Sequence, residues 1–261
     1  MTTPQRSFSV NVDVTNPGQF FACCGLLELA HRLWPGVEGW FENDQLNIAT
    51  PHRTNDSFAQ LCRQLNATSL VPDDGEADHK TCPLRLGTPF DLRLDWWLDE
   101  TGGDRLKTWA GQQSISRIAP AMKQAICWDD AGGDVFQIGM VVTDPADSKK
   151  CVEPFYFDAR RYAHPLDTGF SLDVQGADTL AHPAVELLCL IGLQRYRPST
   201  GPDKWTFEYR VWSMPLSAPI AAAAVCGKVL VGSSFRFQLL FRDNQKRYKA
   251  FSFATPIGEQ L

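Results

Sequence analysis

The chain has 261 residues, 44% of them hydrophobic and 21% charged, with a formal net charge of −5. That balance suits a globular protein with a sizeable core and argues against one that coats nucleic acid unaided, since such binding draws mainly on phosphate neutralisation. No apolar run reaches the ~20 residues that span a bilayer and no signal-peptide core follows Met1, so a cytoplasmic protein without membrane contact is expected.

Phe8, Val10, Val12 and Val14 alternate with polar residues and predict a strand over 7–14. Asn16 then offers a helix cap, Pro17 suits a first helical position, and Gln19 stands where a capping-box partner reaches back. From Phe20 to Leu27 there is no polar side chain, so both faces of this helix must be covered, and Ala22, Cys23, Cys24 and Gly25 permit close backbone approach. Pro35-Gly36 ends it, after Arg32 has placed a cation near the negative end of the dipole. A weaker strand is predicted over 41–48 and a helix over 57–65. A solvated loop follows over 71–80, where Asp73, Asp74, Glu76 and Asp78 gather. Alternation returns over 90–96 and places Trp96 and Trp97 on opposite faces, so that at most one is an exposed stacking platform. Thr101-Gly102-Gly103-Asp104 turns the chain.

Residues 113–127 carry Ile115, Ile118, Met122, Ala125 and Ile126 on one helical stripe, with Pro120 set to bend the axis. Strands are predicted over 135–143 and 153–158, joined by a loop over 144–150. His182-Pro183 opens a second apolar helix over 184–193, followed by Arg195, Arg197 and Pro198. It is similar to the first, although the spacing from proline to internal glycine differs by one residue, so an internal repeat stays open. Phe235, Phe237, Leu239 and Phe241 alternate, Asp243-Asn244-Gln245 turns, and a strand returns over 248–253 as a C-terminal β-hairpin. The sum is one α+β domain over 1–261, an antiparallel sheet packed on buried apolar helices, with a two-lobe division near residue 145 left open.

Nucleotide-loop, serine-nucleophile and zinc-protease motifs are absent, and no cofactor is expected. Cys62, His79 and Cys82 fall short of a four-ligand zinc site, so no metal is expected. Cys23 and Cys24 lie among Phe and Leu, where burial suppresses thiolate formation, and read as core. His164 and Asp167, beside Arg161, form the best titratable cluster, either a base oriented by a carboxylate or a loop satisfying its own backbone.

The stronger signal is cationic. Residues 105–128 hold Arg105, Lys107, Arg117 and Lys123 and no acid. Lys107 is placed to neutralise phosphate and Gln112 or Gln113 to bond a base edge or sugar, while a helix-capping turn around a buried Trp109 is the alternative. Arg160, Arg161, Arg195 and Arg197 are further candidates for nucleic acid. In the C-terminal hairpin, Lys246, Arg247 and Lys249 suit either a backbone grip or protection of a sheet edge.

Four blocks, residues 16–30, 107–113, 157–161 and 192–198, together resemble the large-subunit-type protein of CRISPR type I-G (formerly I-U) systems. The resemblance implies a non-catalytic subunit of an RNA-guided Cascade surveillance complex. Its implied partners are backbone subunits carrying guide RNA, target DNA, and the helicase-nuclease that cuts it. Base pairing reads sequence in such assemblies, and protein contacts hold strands. The chain departs from the pattern in size, being shorter than large subunits usually are, which leaves reading of the flanking motif open. A pocket-bearing enzyme or small-molecule-binding protein using His164, Asp167 and Arg161 is the alternative.

Overall fold

The computed structural model describes residues 4–51, 56–73, 81–98, 105–111, 113–128, 132–161, 180–242 and 248–258. Strand β1 (Phe8–Asn11) ends earlier than the alternation predicts, yet Val12 stays buried and donates its amide to the Asp44 carbonyl at 2.9 Å. Helix α1 (Pro17–Leu33) starts at its cap: the Asn16 side chain accepts the amides of Gly18 at 3.1 Å and Gln19 at 3.5 Å. Gln19 reaches back past the cap to accept the amide of Asp13.

The strand predicted over 41–48 is instead a hairpin, β2 (Glu38–Glu42) and β3 (Gln45–Ala49). Its turn, Asn43-Asp44, has φ of 52° and 55°, the left-handed pair that matches strand twist in a two-residue hairpin. Helix α2 (Ser57–Ala67) leads into a small antiparallel sheet of β4 (Leu70–Pro72), β5 (Leu84–Leu86) and β6 (Leu92–Leu94). Trp96 and Trp97, just beyond it, are both buried, so neither is a stacking platform.

Helix α3 (Ile115–Ala125) buries the expected Ile115, Ile118 and Met122 and includes Pro120. The short strand β7 (Met140–Val141) follows. Part of the connection expected over 144–150 is itself a hairpin, β8 (Thr143–Asp144) and β9 (Asp147–Cys151), with Asp144 accepting the amide of Ala146 at its turn. No strand forms over 153–158: Tyr156 takes φ of 65°, and the amides of Phe157 and Asp158 go to the Glu186 carboxyl instead of to a neighbouring strand.

Strand β10 (Leu180–Ala181) pairs with β7 and precedes helix α4 (Pro183–Gly192). The remainder comprises β11 (Ser199–Thr200), β12 (Thr206–Val211), β13 (Leu216–Ser217), α5 (Ala218–Val225), β14 (Ser233–Phe241), β15 (Lys249–Phe251) and β16 (Thr255–Ile257). The protein is α+β, with one antiparallel sheet in the order β1-β3-β2-β13 and another in the order β11-β12-β14-β15. Strand β14 pairs with β15 as the C-terminal hairpin requires, and its earlier residues pair with β16.

Helix α1 lies between these two sheets, because Phe20 stacks on Phe41 of β2 at 5.3 Å and on Tyr209 of β12 at 4.4 Å. Its far side meets α4. A Cβ at Gly25 would stand 2.1 Å from the Leu188 carbonyl oxygen, and one at Gly192 would stand 2.0 Å from that of Phe21. The two helices therefore touch backbone to backbone at reciprocal glycines, and both are buried along most of their length. We predict that Gly192→Ala lowers the free energy of unfolding by about 3 kcal/mol, the upper end of the usual overpacking range, since backbone cannot yield as a side-chain tip can. Urea denaturation measures it; a loss below ~1 kcal/mol would mean that the helices separate freely.

Candidate nucleic-acid interface

The starts of α1 and α4 converge on a buried polar knot. Asn16 donates to Asp158 at 2.8 Å and accepts the amide of Ala159 at 3.1 Å. Arg160 grips the Asp158 carboxylate through Nε at 3.0 Å and Nη2 at 2.6 Å, and His182 Nδ1 lies 3.3 Å from it. Burial opposes the Asp158 charge, but Arg160, His182 and Asn16 outweigh it and hold the carboxyl below its usual range. Glu186 is fully buried beside it, and among the described residues no arginine pairs with it. Burial and the Asp158 charge push its pKa up to about 8 against the backbone amides that it accepts.

A second knot involves the later part of α1. Glu28, 1% exposed, receives Arg195 through Nε and Nη2, and Arg32 at 2.8 Å. Burial alone would raise its pKa, yet hydrogen bonds from the two guanidiniums lower it. Arg197 donates to the Trp96 carbonyl at 3.2 Å and lies over that indole ring at 5.5 Å. Arg160, Arg195 and Arg197 thus each make inward contacts, and all three are half-buried. Lys123, in the last turn of α3, donates to the Asn66 carbonyl at 2.8 Å, and burial lowers its pKa.

The remaining candidates assemble along one ridge. Residues 105–111 run beside Tyr248 and Lys249: Lys249 donates its amide to the Thr108 carbonyl at 3.1 Å and its ammonium to the Arg105 carbonyl at 2.5 Å. Trp109 is buried against Trp97, Trp96 and Phe155, so it anchors the ridge and is not a platform for bases. Lys107 lies 5.5 Å from the Trp109 ring centre. Gly111 takes φ of +60°, and a Cβ there would stand 2.6 Å from the Tyr248 hydroxyl, so glycine is required both for the turn and for the approach of that ring.

Beyond Gly111 opens a cleft of about 400 Å³, lined by Gln113, Arg117, Ile118, Val152, Glu153 and Tyr248 among others. Gln113 donates to Glu153 at 3.0 Å, Arg117 pairs with Asp144 at 2.6 Å, and Arg242 Nη1 lies 3.6 Å from Glu153. The Asp144 carboxyl is held below its usual range by the Ala146 amide first, with Arg117 contributing.

At the opposite end of the ridge Arg105 and Lys249 are joined by Lys204 and Trp205, which sequence reading missed. Lys204 lies 4.8 Å and Lys249 5.4 Å from the ring centre of half-buried Trp205. Arg105 is held by the Lys204 carbonyl at 3.2 Å and the Thr200 hydroxyl at 3.3 Å. These residues come from three distant segments, so no local motif marks them; only Lys204-Trp205, a cation beside an aromatic, gave a local cue.

Gln112, His164, Asp167, His79, Lys246, Arg247 and the Arg161 side chain lie outside the described residues. Cys23 and Cys24 are buried, and burial pushes both thiols up. No group of three or more metal-ligating side chains occurs among the described residues, and no helix there is long and apolar enough to cross a membrane. Comparison with protein-family models, curated proteins and solved structures gives no match.

The Glu186 knot has a signature in pH. Its folded pKa of about 8 lies above the ordinary value of 4.5, so its stability contribution is complete below the ordinary value and is lost as pH rises through 8. Urea unfolding at pH 6 and pH 8.5 is expected to show wild type losing more stability on alkalinisation than Glu186→Gln does, with a slope approaching about 1 kcal/mol per pH unit. Parallel profiles for the two proteins would show that Glu186 ionises normally.

Proposed function

We propose that this chain is a non-catalytic subunit of an RNA-guided CRISPR type I-G Cascade complex. In that reading it touches target DNA along the ridge from Arg105 to Arg117 and docks on the backbone subunits and the helicase-nuclease. The observation that supports nucleic-acid contact is the convergence, along one ridge, of Arg105, Lys107, Lys204 and Lys249 with Trp205 at one end and of Gln113, Arg117 and Tyr248 at the other. Cations placed over aromatic rings are suited to a strand whose phosphates and bases alternate. The acidic total charge fits a subunit that presents a local cationic strip and leaves most binding energy to its neighbours.

Gln113 lies eight positions after Arg105, a span of at most ~29 Å, enough for several nucleotides. Arg160 and Arg195 play a structural part in this scheme. Co-expression with the companion subunits is expected to yield a stable complex containing repeat-derived RNA; a chain that never co-purifies with them refutes the Cascade reading. Within the complex, Lys107→Ala with Arg117→Ala, or Arg105→Ala with Lys204→Ala, is expected to weaken target-DNA binding about 3–30-fold at low salt. Loss of Arg105 and Lys204, or of Lys107, is also expected to flatten the salt dependence by about one unit per lost phosphate contact. Arg160→Ala and Arg195→Ala, by contrast, are expected to lower the melting temperature. Unchanged affinity across several salt concentrations in both double variants would remove the ridge from the interface.

A further inference from the structure

Resting on the nucleic-acid reading above, we propose that the cleft between α3, the end of β9 and Tyr248 receives one guanine base extruded from a single strand, with Glu153 reading its Watson–Crick edge. The cleft, at about 400 Å³, falls within the range of small-ligand pockets. Ile118 and Val152 supply apolar walls and Tyr248 an aromatic one, the lining a flipped base requires.

The charges distinguish this place from a phosphate site. Arg117 is matched by Asp144 at 2.6 Å and Arg242 faces Glu153 at 3.6 Å, so two cations stand against two anions. A phosphate slot needs a positive excess; a balanced slot with an exposed acceptor suits a neutral base. The phosphates belong at the other end of the ridge, beside Arg105, Lys204 and Lys249.

Guanine follows from the acceptor. The Glu153 side chain is 49% exposed, and an ionised carboxylate offers two acceptor oxygens and no donor. Guanine alone among the four bases presents two adjacent donors, N1–H and the N2 amine, on its Watson–Crick edge. Adenine and cytosine set an acceptor beside their amine, and thymine flanks its one donor with two carbonyls; each turns a lone pair toward Glu153. Gln113 Nε2, which spends one hydrogen on Glu153 at 3.0 Å, has a second N–H beside it for guanine O6. Arg242 keeps the acceptor in place. Its side chain is 6% exposed, and its guanidinium lies 3.4 Å from the Tyr156 ring centre and 5.4 Å from that of Tyr248.

Fluorescence anisotropy of the purified full chain with single-stranded dT12, and with dT12 carrying one central guanine or inosine, tests this. One guanine is expected to tighten binding about 5–100-fold, the range for a good bidentate base contact. Inosine, which lacks the N2 amine, should lose most of that gain. In Glu153→Gln, with folding checked by melting temperature, the ratio of guanine-probe to thymine-probe affinity should fall to about one. Salt-dependent binding with equal affinity for all three probes, or a guanine preference that survives Glu153→Gln, overturns the guanine slot and leaves the ridge standing. Failure to bind any probe at low salt overturns the slot together with nucleic-acid contact by the free chain, whereas the Cascade reading is judged separately by co-purification.

Discussion

The architecture depends on the bare backbone contact between α1 and α4. Two helices without polar faces can be buried together only if something fills the space between them or nothing has to, and Gly25 against Leu188 with Gly192 against Phe21 is the second solution. So close an approach leaves the helix starts near each other with unsatisfied amides and few side chains to meet them. Asn16 accepts the first amides of α1 and bonds Asp158, while Glu186 accepts the loop amides of Phe157 and Asp158, so the loop is drawn over the α1 terminus: a Cβ on Gly18 would stand 2.4 Å from the Phe157 carbonyl oxygen.

That arrangement dictates the fate of several cations. A carboxylate held away from water must recruit a guanidinium or give up its charge. Asp158 recruits Arg160, Glu28 recruits Arg195 and Arg32, and Glu186, buried beside the Asp158 charge, favours its proton. Four sequence blocks are largely built of these same parts. Residues 16–30, 157–161 and 192–198 meet around the glycine crossing, while 107–113 reaches it through the rings of Trp109, Phe155 and Phe157. They mark a way of packing more than a chemistry, and only the 107–113 block leads outward to an open cleft.

The aromatic rings extend this logic across the molecule. From Trp97 through Trp109, Phe155, Phe157, Phe251 and Phe237 to Tyr209, Phe20 and Phe41, successive centres lie 4.4–6.0 Å apart. Rings from both sides of residue 145 join this one core. Without secondary structure of their own, residues 105–111 are anchored in this core by Trp109, with half-buried Lys107 beside its ring.

Periodicity and punctuation made the helices legible: Asn16-Pro17 and His182-Pro183 mark starts, and runs with no polar side chain mark burial, because these signals are local to the chain. The Asn43-Asp44 turn was hidden because apolar residues on both sides blurred into one strand, and the segment before Asp158 escaped because its amides are satisfied by Glu186, 28 or 29 residues on. Charge was legible only as a count. Whether an arginine serves a surface or a buried acid depends on which carboxylate the fold brings beside it, and Arg160, Arg195 and Arg117 read alike in sequence. Tertiary structure alone decided that the first two close the core, that Arg105, Lys204 and Lys249 gather around Trp205, and that Glu153 stands open to the cleft, since electrostatic partnership is set by distance in space and not by spacing along the chain.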